Sequence, residues 1–136
     1  MRPEALGDTT AWIALHRGRP AAAAAVHGLL RRGVLAVCDP VRLELLRGAR
    51  NPRDVTAVQE RLALLPNCPV ERATWARAEE ILAQLARHRG GRHRGIPPVD
   101  LLIAAAAEAQ GLPVLHDDEH FDLIAQVTGQ RMLRLT

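Results

Sequence analysis

The chain has 136 residues, 18 basic and 15 acidic, for a formal net charge of +3, and every basic residue is Arg. Lys, Ser and Tyr are absent, which excludes a Ser-His-Asp triad, a Lys Schiff base, a Walker A phosphate loop and a Tyr nucleophile. The length suits one domain spanning 1–136, and with only Trp12, Trp75 and Phe121 as aromatics the core falls to Ala, Val, Leu and Ile.

From the N-terminus, Glu4 to Gly7 reads as a short strand that ends at Asp8. Arg19-Pro20 opens a helix running to Arg32, with Pro at its first position and Gly33 as its stop. A second strand covers Val34 to Cys38. Asp39 then reads as a helix cap before Pro40, and Gly48 ends that helix. Asn51-Pro52 leads into a helix over Asp54 to Leu65, and Cys68 to Val70 has strand character. Glu71 to Arg89 carries Trp75, Ala78, Ile81, Leu82, Leu85 and Ala86 roughly on one stripe. The low-complexity stretch Arg87 to Gly95 reads as a mobile basic loop that buries nothing. Pro97-Pro98 opens a helix from Val99 to Gln110, apolar all round between Leu101 and Ala107. Val114 to His116 is a strand, Glu119 to Val127 a helix stopped by Gly129, and Met132 to Leu135 a final strand. Short strands alternating with helices predict an α/β fold: a mainly parallel central sheet of about five strands flanked by helices.

Cys38 and Cys68 have no Cys/His framework around them, so they read as buried, reduced thiols of a cytoplasmic protein. The N-terminus lacks the apolar core of a secretion signal. Ala21 to Val26 is far too short to span a bilayer, which takes about 20 residues, so no membrane role is expected.

In open α/β sheets ligands bind beyond the carboxyl ends of the strands. Asp8 follows the first strand directly, and Asp117 and Asp118 follow the fourth. Glu44 sits one turn into the Pro40 helix, and Asp100 sits in the first turn of the Pro97-Pro98 helix. Each acid has a plainer reading taken singly. Asp8 ends a turn, Asp100 complements a helix dipole, Glu44 is a solvated helix charge, and Asp117 to Glu119 cap the last helix. Together they are four carboxylate positions at one sheet edge, which repel one another unless a divalent cation lies among them. Hard oxygen donors without paired Cys point to Mg²⁺ or Mn²⁺, ions that activate water for phosphodiester hydrolysis.

Four segments carry a family resemblance. Asp8-Thr9-Thr10-Ala11-Trp12-Ile13 resembles the opening Asp-Thr-Ser of PIN-domain nucleases. Glu44-Leu45-Leu46-Arg47-Gly48 resembles their Glu-Leu-Leu-Arg-Gly segment, and Asp100-Leu101-Leu102-Ile103-Ala104 their Asp-x-Leu-Ile-Ala helix. Leu115-His116-Asp117-Asp118-Glu119-His120-Phe121-Asp122 resembles the Leu-His-x-Asp-x-Asp-Phe segment of VapC-type toxins. The four occur in family order, and the resemblance spans about residues 5 to 135. It implies a Mg²⁺-dependent endoribonuclease, the toxin of a type II toxin–antitoxin pair. Asp8, Glu44, Asp100 and Asp118 would be its catalytic acids. Asp8 and Asp100 would be the principal metal ligands, and Glu44 and Asp118 would complete the shell directly or through water. Thr9 or Thr10 would hold Asp8. RNA as substrate, a cognate VapB-type antitoxin and a homodimer are implied in the same way.

The sequence departs from that pattern where Thr10 replaces the usual Ser. It departs again at His120, which stands where a second Asp is common and so removes one possible ligand to a second metal. Asp117 is a weaker-fitting substitute. His116, Asp118 and His120 alternate, a pattern that suggests an imidazole metal site, but His116 leaves a strand and is expected to bond backbone. The Arg87–Arg94 loop is either a solvated linker or an RNA contact through phosphate. Three rival readings exist: a PIN-domain RNA-processing nuclease without an antitoxin, a non-catalytic Arg-rich RNA-binding module, and a phosphoacceptor receiver domain. The last needs a Lys that the chain lacks. The sequence leaves open the RNA target and cleavage site, the metal count, and the identity of the antitoxin.

Overall fold

The computed structural model describes residues 2–88 and 91–135. Its strands form one sheet in the order β3-β2-β1-β4-β5, and every pairing is parallel. β1 (Ala5–Gly7) lies between β2 (Leu35–Cys38) and β4 (Val114–His116), with β3 (Asn67–Cys68) and β5 (Met132–Arg134) at the edges. Parallel neighbours need crossover connections, and helices supply them. α1 (Thr9–Arg17) and α2 (Pro20–Arg31) join β1 to β2, and α3 (Asp39–Arg47) and α4 (Pro52–Leu62) join β2 to β3. α5 (Arg72–His88) and α6 (Pro98–Ala109) join β3 to β4, and α7 (Glu119–Thr128) joins β4 to β5. The α/β class and the parallel five-stranded sheet expected from the sequence are therefore present.

All residues of β1, β2 and β4 are buried, which explains their reading as short continuous apolar runs. Leu101 to Ala107 of α6 are buried without exception. Four successive alanines there let the helix approach the sheet and α5 closely. A Cβ at Gly7 would stand 3.3 Å from both Leu35 Cδ1 and Trp12 Nε1, so glycine permits α1 to fold tightly back over the end of β1. At Gly18 a Cβ would lie 2.4 Å from the Ala14 carbonyl oxygen, and only glycine lets the chain turn from α1 toward α2.

Several elements differ from the sequence pattern. α1 is not anticipated: the β-branched Thr9, Thr10 and Ile13 mask a helix that Asp8 starts by accepting a hydrogen bond from Ala11 N. β3 ends at Cys68 rather than beginning there. Asp39 does not cap α3; it is an exposed first-turn residue 3.9 Å from Arg42 Nε, and Cys38 holds the cap position. Trp75 is 55 % exposed, because Thr74, Ala78, Ile81 and Leu85 form the buried face of α5. Part of the basic stretch is folded: Arg92–Gly95 form a 3₁₀ turn against α5, followed by buried Ile96. Arg89 and Gly90 of that stretch lie outside the described residues.

The strand order places the site. β1 is followed across the sheet by β2 on one side, while β4 is followed by β5 on the other. The winding direction therefore reverses between β1 and β4, and the crevice beyond their carboxyl ends is where such sheets bind ligands.

Candidate metal centre

Asp8 leaves β1 at this crevice and is only 2 % exposed. Its Oδ1 accepts hydrogen bonds from Thr10 Oγ1 at 2.7 Å and Ala11 N at 3.1 Å. Burial nevertheless pushes its carboxyl up to about 7, with the charge of Asp100 adding to the rise. Burial without a counter-charge disfavours the ionised form. Thr10 Oγ1 also accepts from Asp117 N at 2.8 Å, so one hydroxyl ties the exit of β1 to the exit of β4. Thr9 takes the other direction: its Oγ1 donates to Glu44 Oε1 at 2.6 Å, which draws α3 to the start of α1.

Asp100 is the third residue of α6, and its Oδ2 lies 3.0 Å from His120 Nδ1. Burial raises the Asp100 pKa, the nearby charges of Asp118 and Glu44 raise it further, and His120 opposes them. Asp118 is the N-cap of α7, accepting from His120 N at 2.9 Å, and its Oδ1 is 3.2 Å from His120 Nδ1. Asp8, Glu44, Asp100 and Asp118 thus come from four separate segments into one electrostatic neighbourhood. Two of them, Asp8 and Asp118, also cap helices: the capping expected of the Asp117–Glu119 segment is present at Asp118, and Asp8, read as the end of a turn, is the N-cap of α1.

The remaining acids turn elsewhere. Asp117 is exposed, with its carboxylate 4.0 Å from Arg134 Nε, so it does not stand in for the missing Asp. His116 is fully buried, and its Nδ1 accepts from Asp118 N at 3.2 Å, the backbone role expected for it. That bond puts the ring proton on Nε2, which is 3.7 Å from Asp122 Oδ1 and has no hydrogen-bond partner. At that length the contact is electrostatic rather than a hydrogen bond. Asp122 itself pairs with Arg134.

The donor set fits a divalent cation. Among the described residues, every Arg ion pair goes to acids outside the cluster, so no guanidinium neutralises Asp8, Glu44, Asp100 or Asp118. One ligand atom each from Asp100, Asp118 and His120 lies within 4.8 Å of the others. His120, which stands where the family pattern commonly has an Asp, points its Nδ1 at both neighbours, 3.0 Å from Asp100 Oδ2 and 3.2 Å from Asp118 Oδ1. Of the alternating His116, Asp118 and His120, the last two face Asp100 and the first does not. The acidic family pattern obscured this arrangement, since against that pattern a His reads as a gap.

The PIN domain family model matches residues 5–127. Ribonuclease VapC18 of Mycobacterium tuberculosis is 40% identical over 123 residues, covering 90% of this chain and 88% of its own. Ribonuclease VapC51 of the same organism is 42% identical over 112 residues, covering 82% and 80%. DNA-bound VapBC from Salmonella typhimurium superposes with a TM-score of 0.72 at 20% identity, covering 98% of this chain and 99% of that one. FitAcB from Neisseria gonorrhoeae gives 0.72 at 21% identity, covering 98% and 96%. At those identities the two structures establish the fold alone. With the family match and the sequence relatives beside them, the chain belongs to the PIN-domain family, on its VapC branch.

Proposed function

We propose that this protein is a metal-dependent endoribonuclease that hydrolyses RNA phosphodiester bonds, and that it is the toxin of a VapBC-type toxin–antitoxin pair. The observation that carries the reading is the convergence of Asp8, Glu44, Asp100 and Asp118 beyond β1 and β4 with, among the described residues, no arginine ion-paired to any of them. The names of its sequence relatives, VapC ribonucleases, support the same substrate.

In this reading Mg²⁺ is the resident ion and Mn²⁺ its substitute. Asp8 and Asp100 are the principal ligands, with Asp118 and Glu44 completing the shell directly or through water. The bound ion supplies Lewis acidity at a phosphoryl oxygen and a lowered pKa for water. Thr10 fixes the Asp8 carboxylate. Thr9 fixes Glu44, which orients the attacking water toward phosphorus. With no Ser, Lys or Tyr in the chain, water is the nucleophile best suited to this set of side chains. Arginines outside the cluster hold the phosphate backbone.

The whole of 1–136 acts as one domain in this reading, supported by a sheet that takes its strands from both ends of the chain, Ala5 to Arg134. A VapB-type antitoxin and a second copy of the chain are the partners. The exposed side chains of Leu43, Leu64 and Trp75 are apolar surface that such partners would cover. The two free, buried thiols suit the cytoplasm, and among the described residues no helix is long and apolar enough to cross a membrane.

Asp8→Asn and Asp100→Asn test the site. Each is expected to abolish Mg²⁺-dependent, chelator-sensitive RNA cleavage while keeping the circular dichroism of the parent, and wild-type cleavage by either variant would sink the assignment. Expression with and without the open reading frame immediately upstream tests the toxin role: growth arrest is expected only when that frame is omitted.

A further inference from the structure

We infer that His120 is a direct ligand of the divalent ion through Nδ1, and that this nitrogen raises the affinity of the site for Mn²⁺ relative to Mg²⁺ beyond that of an all-oxygen shell. The inference rests on the reading of the acidic cluster as a metal site, and goes beyond it by assigning the ligand that biases ion choice.

Geometry is the first support. His120 Nδ1 lies 3.0 Å from Asp100 Oδ2 and 3.2 Å from Asp118 Oδ1. Two donors at right angles on an ion with bonds of about 2.1 Å stand about 3.0 Å apart. The nitrogen therefore already holds the spacing of neighbouring ligands to both carboxylates, and all three donor atoms fall within 4.8 Å of one another. The ring is anchored as well. His120 is in the first turn of α7, and its backbone N donates to Asp118 Oδ1 at 2.9 Å, so the same carboxylate that would ligate the ion fixes the residue carrying the imidazole. His116, four residues before His120, has its Nδ1 occupied by Asp118 N and is not part of the group.

Chemistry is the second support. With Nδ1 bound to a cation its lone pair is the donor, and the ring proton sits on Nε2. Mg²⁺ favours an all-oxygen shell and gives up its waters reluctantly. Mn²⁺ accepts carboxylates as Mg²⁺ does and, as a first-row transition ion, takes an imidazole nitrogen more readily than Mg²⁺.

The test uses the full-length protein loaded with Mn²⁺ alone. Pulsed electron paramagnetic resonance is expected to record coupling to a directly bound ¹⁴N in the wild type, absent from His120→Ala and His120→Asp. Mn²⁺ titration is expected to show His120→Ala losing affinity by at least the ~10–100-fold that loss of an outer ligand contact costs at other metal sites. His120→Asp should keep a site whose preference moves toward Mg²⁺ in competition, and this conservative variant carries the test if the alanine variant does not fold. Mn²⁺ bound to the wild type without nitrogen coupling, or coupling that survives in either variant, overturns the assignment of His120 and leaves the acidic site standing. Failure of the wild type to bind Mn²⁺ at all overturns both.

Discussion

Thr10 Oγ1 donates a 2.7 Å hydrogen bond to Asp8 Oδ1, and the same oxygen accepts from Asp117 N at 2.8 Å. The hydroxyl is therefore the only side-chain link in the described residues that joins the first acid to the loop carrying the last one. Thr10→Ser keeps the hydroxyl and is expected to stay close to the wild type. Thr10→Val keeps the shape and removes both bonds, and because the Asp117 N–H is exposed and can turn to water the loss is about 1–2 kcal/mol. Its RNA cleavage should fall by roughly tenfold or more. Because this bond holds the Asp8 pKa down, carboxyl titration of metal-free Thr10→Val by NMR should find Asp8 higher than in the parent. An unchanged rate in the valine variant would show that Asp8 does not depend on Thr10.

Asp8 makes the metal-free protein sensitive to pH in a definite direction. Its carboxyl titrates at about 7 in the fold against an ordinary 3.8. Between those values the folded state keeps a proton that the unfolded state has lost. Stability from this group is thus fully present below about pH 4 and is lost as pH rises through 7. The full swing is on the order of 4 kcal/mol. Urea denaturation in chelator should give a less stable protein at pH 7.5 than at pH 5, and Asp8→Asn should flatten that difference. Adding Mn²⁺ at pH 7.5 should restore stability by binding the folded state. Equal slopes with pH in the parent and Asp8→Asn would mean that the carboxyl is not held protonated.

The fold is largely legible in the sequence because its helices are punctuated: Pro20, Pro40, Pro52 and Pro98 each stand at the first or second helical position. α1 lacks that mark, and its β-branched opening hides it. Trp75 fails for another reason. A stripe drawn through apolar residues alone overlooks Thr74, which is buried because its Oγ1 accepts from Glu71 N at 3.0 Å. At the candidate site, Asp8, Asp100 and Asp118 follow from strand ends and helix starts and Glu44 from its place one turn into α3, but the partner of each does not. That Thr9 serves Glu44 while Thr10 serves Asp8 depends on α1, the element the pattern omits. His120 reads as a lost ligand until the first turn of α7 brings it between Asp100 and Asp118.

Arg77 fastens α5 to α6. Its Nε donates to Glu108 Oε1 at 2.6 Å and its Nη2 to Glu108 Oε2 at 3.1 Å, while Nη1 reaches Glu80 at 3.1 Å. The fork toward Glu108 is half-buried and two-pronged, the geometry in which an ion pair contributes measurably. Arg77→Ala is expected to cost about 1–2 kcal/mol, a fall in Tm of roughly 4–7 °C. Arg77→Lys should recover little of this, because an ammonium cannot match both carboxylate oxygens at once. A double-mutant cycle with Glu108→Gln isolates the pair, and a coupling near zero would assign the loss to packing of the arginine stem.

Arg92 and Arg94 are exposed on the 3₁₀ turn that packs on α5, and Ile96 pins the segment just before α6 and Asp100. Neither takes part in an ion pair among the described residues, so both are available to phosphate oxygens. Single-stranded RNA loses about 0.7 of log–log salt slope for each phosphate contact removed. Arg92→Gln with Arg94→Gln, in an Asp8→Asn background that stops cleavage, should therefore weaken RNA binding in low salt and make the slope shallower by about 1–1.5. With few aromatics to stack bases, the affinity lost should be nearly independent of sequence. Identical affinities across the salt series would place the RNA path on another arginine face.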